Sequence, residues 1–128
     1  MRSVLIICEE YAFLLSSYSW LRQDARVGRI EVATSGDEGF DLAMTYRPDV
    51  VVFDAPPGGE YGLSTVRRLC EANPDVDIVV TVRDRSAEVA EISALASGAI
   101  GVLHRERFSA DACMKLANKA DAARARHN

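Results

Sequence analysis

Short apolar runs alternate along this chain with segments whose apolar residues recur every three or four positions. The runs Val4–Cys8 (VLIIC), Ile30–Ala33, Val50–Phe53, Ile78–Val82 and Ala99–Leu103 read as five strands. Three of them are almost continuous in aliphatic or β-branched residues, as strands covered on both faces are. Helical spacing links Tyr11, Leu14, Leu15, Tyr18 and Leu21, then Phe40, Ala43 and Met44, then Leu63, Val66, Leu69 and Cys70. A fourth stripe joins Val89, Ile92, Leu95 and Ala96, and a fifth joins Cys113, Leu116, Ala117 and Ala120. The boundaries agree with these periods: Ser35 with Glu38 forms a capping box, Pro48 stops the second helix, Gly98 follows the fourth, and Ser109 can cap the fifth.

Five strand-helix units in strict alternation predict an α/β fold with a parallel sheet, because each parallel return needs a right-handed crossover that lays a helix on one face or the other. At this length the flavodoxin-like arrangement fits, with five strands in the order 2-1-3-4-5 and five helices covering both faces. Its crevice opens between strands one and three, at their carboxyl ends. Cys8, Glu9 and Glu10 therefore come to lie beside Asp54. That acid ends the run VVVFD and is followed by APPGG, which turns the chain sharply away from it. As a lone capping acid Asp54 would need no such setting; as a residue of the crevice it faces the place where ligands of these sheets bind.

Size and charge narrow the class. With 128 residues, 48% of them apolar, the expectation is one domain spanning residues 1–128. A formal net charge of -4 spread over both signs predicts no direct nucleic-acid contact and no strong pull toward an anionic membrane. Three cysteines, Cys8, Cys70 and Cys113, at unrelated spacings fit reduced thiols in a cytoplasmic protein. The first apolar run is too short for a signal-peptide core or a membrane span.

Taken together and in order, these strings resemble the receiver domains of bacterial two-component response regulators, from Val4 to about Ala120. VLIICEE is similar to the family's first strand and acidic pair, and RPDVVVFD to its third strand with the phosphoacceptor, with Gly62 at the usual distance behind. IVVTV resembles the fourth strand with its switch hydroxyl, and GAIGVLHR the fifth, which normally ends in Lys. The resemblance implies that Asp54 accepts a phosphoryl group from a histidine kinase or other phosphodonor and that Thr81 hydrogen-bonds it. It implies that Glu9, Asp54, the backbone carbonyl of Pro56 and also Glu10 hold Mg²⁺, and that Arg105 supplies the cation of the fifth strand. It further implies a module that is not itself an enzyme and that dimerises or binds a target protein through helix four, strand five and helix five.

Four positions depart from that pattern. Cys8 stands where the first acid belongs, and a soft thiol is a poor Mg²⁺ ligand, so metal binding is expected to be weak or lost. Arg105 replaces Lys with a larger, planar cation. Pro56 keeps its carbonyl but lacks the N–H that the family gives to the phosphoryl group. Val102 occupies the place of an aromatic residue whose rotation reports the switch.

Simpler roles stand beside the functional ones. Thr81 also suits a strand as a β-branched residue, and Arg105 with Glu106 and Arg107 also suits a solvated charge cluster. Cys8, near Asp54 and His104, invites a Zn²⁺ or redox site, but neighbouring acids raise a thiol's pKa and no Cys-x-x-Cys or His pair completes the set. It reads as a small buried residue at a strand end. Tyr11, Tyr18 and Trp20 read as packing and its rim, and Lys119 through Arg126 as the exposed face of the last helix or the start of a linker.

Three functions remain: a phosphoaccepting receiver, an atypical receiver that acts as a phosphorylation-independent interaction module, and a flavodoxin-like enzyme or cofactor carrier. The last lacks a glycine-rich phosphate loop after strand one, where CEEYAFLL offers acids and bulk.

Overall fold

A computed structural model describes residues 1–56, 63–83 and 87–127. Five parallel strands, β1 (Arg2–Ile7), β2 (Val27–Ala33), β3 (Val50–Asp54), β4 (Asp77–Val82) and β5 (Gly101–His104), form one sheet in the order β2-β1-β3-β4-β5. The helices are α1 (Tyr11–Arg22), α2 (Gly36–Tyr46), α3 (Leu63–Ala72), α4 (Ala87–Ala96) and α5 (Ala110–His127), and a 3₁₀ turn, Arg105–Arg107, joins β5 to α5. The expected order and alternation are those observed. Strand bounds move by one to three residues: β1 and β2 begin earlier, at Arg2 and Val27, and β5 begins later, at Gly101.

Strand alternation sorts the core into two layers. Leu5, Ile7, Val51, Phe53, Ile78 and Val80 face a layer that Ala43, Leu63, Val66, Leu69 and Ala94 close. Val4, Ile6, Val50, Val52 and Val79 face the other, closed by Phe13, Leu14, Leu21, Cys113, Met114 and Ala117. Every residue of β3 and β4 is buried, which is why those runs carry so little alternation in the sequence.

Helix ends follow the expected chemistry. The Ser35 hydroxyl accepts from the Glu38 N–H at 3.1 Å, and the Ser109 hydroxyl from the Ala112 N–H at 3.0 Å. Behind α2 the chain leaves through Arg47, in the left-handed region at φ 46°, before Pro48. Gly98, at φ +113°, ends α4 in a conformation that other residues avoid, and its backbone lies so close to Cys70 that an added Cβ would sit 2.5 Å from Sγ.

Three helix stripes differ from expectation. On α2, Ala43 is buried with Gly39, while Met44 is exposed. On α1 the buried face is Phe13, Leu14, Ser17 and Leu21, while Tyr11 and Leu15 are exposed. On α4, Ile92 and Leu95 are exposed and Ala94 is buried. Of the α4 side chains described, the small Ala94 faces the sheet and the larger Ile92 and Leu95 turn outward. The side chain of Val89, Gly62 and the loop from Pro57 lie outside the described residues.

The basic tail is not wholly an exposed face. Arg124 donates from Nη1 to Oδ1 of Asp77 at 2.8 Å and from Nη2 to Oδ2 at 3.2 Å, and Arg2 stands 3.8 Å from the same carboxylate. Asp77 is buried at the start of β4, so these arginines supply the cations that a buried acid needs. Asp121 pairs with both arginines and links them into one network.

Candidate functional site

Parity along the strands brings the site together. Cys8 continues Val4 and Ile6, Asp54 continues Val50 and Val52, and Thr81 continues Val79, so all three point toward the layer beneath α1 and α5. Asp54 pairs in register with Thr81, and Ile7 with Phe53, which sets Cys8 beside Asp54 at the carboxyl ends of β1 and β3. On β5, Thr81 faces Leu103, and two residues further the chain delivers Arg105 to the same side.

Asp54 is enclosed: its side chain is 2% exposed. The Thr81 hydroxyl donates to Oδ1 at 2.7 Å. Arg105 donates from Nε to Oδ1 at 2.9 Å and from Nη2 to Oδ2 at 2.5 Å, a planar fork matched to the planar carboxylate. Both oxygens are thereby engaged. The thiol of Cys8 lies 3.8 Å from Oδ2 and donates to the Glu10 carbonyl at 3.3 Å. Burial first, and the charge of Asp54 second, push its pKa up, which keeps it a neutral thiol.

The acids after β1 divide. Glu9 is exposed, whereas Glu10 accepts Arg105 Nη1 at 3.0 Å and Arg83 Nη1 at 2.8 Å. Arg105 therefore bridges two carboxylates with three different nitrogens. Its flat face lies over the Phe13 ring, 4.5 Å from the centroid, and Phe13 meets Phe108 edge-on at 5.7 Å. The hydrogen bonds that Arg105 donates to Asp54 raise the guanidinium pKa further above its ordinary value, so the cation is permanent. It is no solvated cluster residue, unlike exposed Glu106 and Arg107.

Of the expected site residues, Asp54, Thr81, Arg105 and Glu10 meet in one hydrogen-bonded group. Pro56 follows two residues behind Asp54, half-buried. Val102 packs at the edge of the opposite layer. Arg83 was not singled out from the sequence; it stands two residues past Thr81, and its position just beyond a strand end was the available signal.

The family model for the response regulator receiver domain matches residues 4–117. The chain belongs to that family. Its curated relatives include a protein-glutamate methylesterase/protein-glutamine glutaminase of Lawsonia intracellularis, 30% identical over 95% of this chain. The receiver domain spans only 37% of that relative's length, so the relative's activity is a property of a longer protein. Among solved structures, a response regulator receiver domain of Clostridium thermocellum superposes over 100% of both chains with a TM-score of 0.82 at 19% identity. A response regulator of Burkholderia pseudomallei, solved with a phosphorylated aspartic acid, a calcium ion and citrate, matches all of this chain and 75% of its own, with a TM-score of 0.78 at 22% identity. These likenesses establish the fold.

Receiver domains imply a divalent cation beside the acceptor acid, and the groups arranged here do not fit one. Among the described residues no cluster of three or more His, Cys, Asp or Glu side chains could hold a metal. Arg105 already covers both oxygens of Asp54, and the nearest strand-one side chain is a neutral thiol. Arg105 already neutralises the carboxylate that would attract a divalent cation, and its own charge would repel one placed against Asp54. Among the described residues no helix is long and apolar enough to cross a membrane.

Proposed function

We propose that this receiver domain, acting as one module over residues 1–128, serves cytoplasmic two-component signalling with Asp54 as its phosphoacceptor. The observation that carries this reading is the convergence of Asp54, Thr81 and Arg105 at the carboxyl ends of β3, β4 and β5. An oxygen of Asp54 attacks phosphorus, the bond to the donor's imidazole nitrogen or acetate oxygen breaks with its electron pair, and an acyl phosphate results. The phosphoryl group carries more negative charge than the carboxylate it joins. Thr81 and the Arg105 fork are the donors placed to receive that charge. No turnover of another substrate is assigned to the domain.

Replacing a carboxylate oxygen contact by a phosphoryl group forces Arg105 to move, and with it the rings of Phe13 and Phe108 and the ion pair to Glu10. The surface of α4, β5 and α5 is the proposed contact for a second copy or a target protein, supported by exposed Ile92 and Leu95 on α4.

A second reading is favoured by one specific observation. Both oxygens of Asp54 are already bonded and its side chain is almost wholly buried, which suits a receiver that acts as an interaction module without phosphorylation. Incubation with acetyl phosphate, with and without Mg²⁺, followed by intact mass separates the two. The first reading predicts one added phosphoryl group that is absent in Asp54→Asn; the second predicts none on the folded protein.

A further inference from the structure

We infer that Arg105 is a built-in cation that takes the place of a divalent metal at Asp54, so that the acidic pocket is complete without Mg²⁺. The inference rests on Asp54 being the functional carboxylate but not on its being phosphorylated.

Three observations carry it. The guanidinium touches each oxygen of Asp54 and an oxygen of Glu10 at once, through Nε, Nη2 and Nη1, as a metal ion bridging two carboxylates would. It is held there by more than charge: its face packs on Phe13, and only 14% of the side chain is exposed. The position beside Asp54 that would have to offer a hard oxygen to a metal offers the Cys8 thiol, 4.0 Å from Arg105 Nη2 and 3.8 Å from Asp54 Oδ2. Arg83 adds a second cation on Glu10, the acid nearest the pocket. A hard, strongly hydrated ion would have to shed water, displace the fork and accept a sulfur neighbour.

The same substitutions that exclude the metal explain one another. With an acid at position 8 the pocket would hold Cys8's replacement, Asp54 and Glu10 against Arg105 and Arg83; with the thiol, Asp54 and Glu10 balance Arg105 and Arg83 one for one. Adding a divalent ion to that balanced set leaves a double positive charge uncompensated beside Asp54 and Arg105, the two buried members of the set.

Titration of the unphosphorylated protein with MgCl₂ and MnCl₂, by calorimetry and by thermal melting, tests this directly. The wild type is expected to give no site-specific heat and no rise in melting midpoint at millimolar metal. Arg105→Ala, and separately Cys8→Asp combined with Arg105→Lys, are expected to bind metal and to gain a few degrees on its addition, an effect lost when Asp54→Asn is added. If Arg105→Ala does not fold, the Cys8→Asp, Arg105→Lys protein decides. Saturable binding by the wild type that Asp54→Asn removes would overturn the inference, as would folded variants that still ignore the metal. Neither result depends on the phosphoryl assay, so a receiver that fails to accept a phosphoryl group and one that binds metal are told apart.

Discussion

Arg105 reaches back from the turn after β5 to hold both carboxylate oxygens of Asp54, at 2.9 Å and 2.5 Å, while its third nitrogen holds Glu10 at 3.0 Å. One side chain thus ties the ends of β1, β3 and β5 together around a carboxylate that water barely reaches. Its removal leaves a buried charge without a cation, held only by the Thr81 hydroxyl and the Cys8 thiol.

Arg105→Ala should therefore cost about 3–5 kcal/mol of folding stability, read from urea unfolding. Asp54→Asn in the same molecule should restore most of it, because the stranded charge is gone. A loss that Asp54→Asn leaves unchanged would mean that Arg105 stabilises by packing on Phe13 and not through the carboxylate.

Thr81→Val keeps the shape of a fully buried residue but removes the 2.7 Å hydrogen bond to Oδ1. The expected cost is about 1.5–3 kcal/mol, since the acceptor is charged. In an Asp54→Asn background the penalty should shrink, which a double-mutant cycle measures.

Much of the site follows from the chain alone, for a geometric reason. Residues 8, 54 and 81 each lie an even number of positions from a core residue of their strand, so their meeting is fixed once strand order and register are fixed. What happens past the strand ends is not fixed that way. Glu9 and Glu10 are adjacent acids, and which one turns inward depends on the angle at which α1 begins; the structure turns Glu10 toward Arg105 and Arg83. The identity of Arg105 was legible, but a charged triplet at a turn gives no sign that its first member is clamped and the other two are solvated. Arg124 reads as part of an exposed tail because its partner, Asp77, lies far away in sequence; the signal for the pairing is an acid placed directly before IVVTV, a buried run that cannot hold a charge without a cation. Stripes on α1 and α4 misled because apolar residues continue around those helices, leaving Tyr11, Leu15, Ile92 and Leu95 outside.

Gly98 carries a local prediction. Gly98→Ala places a side chain at φ +113° and a Cβ 2.5 Å from Cys70 Sγ, at an expected cost of about 1–3 kcal/mol. Adding Cys70→Ala removes the Sγ contact and should recover part of the loss, leaving the backbone strain and a 3.1 Å approach to the Cβ of residue 70; full recovery would show that both are negligible.

Cys113 sets an alkaline limit. Burial pushes its thiol up to about 12 from the ordinary 9.0. The unfolded chain ionises this thiol first, so the stability it contributes is complete below about pH 9 and declines as pH rises from there toward 12. Urea midpoints should fall more steeply above about pH 9 in the wild type than in Cys113→Ala, and native protein should leave Cys113 unlabelled by thiol reagents. Cys8 and Cys70, also raised by burial, act in the same direction.

The acceptor role of Asp54 is tested most directly by trapping. Protein treated with acetyl phosphate is reduced with borohydride, which converts an aspartyl phosphate to homoserine, and is then mapped by peptide mass. Homoserine is expected at position 54 alone, and none in Asp54→Asn. Folded wild-type protein that shows no homoserine, or shows it at another acid, would contradict it.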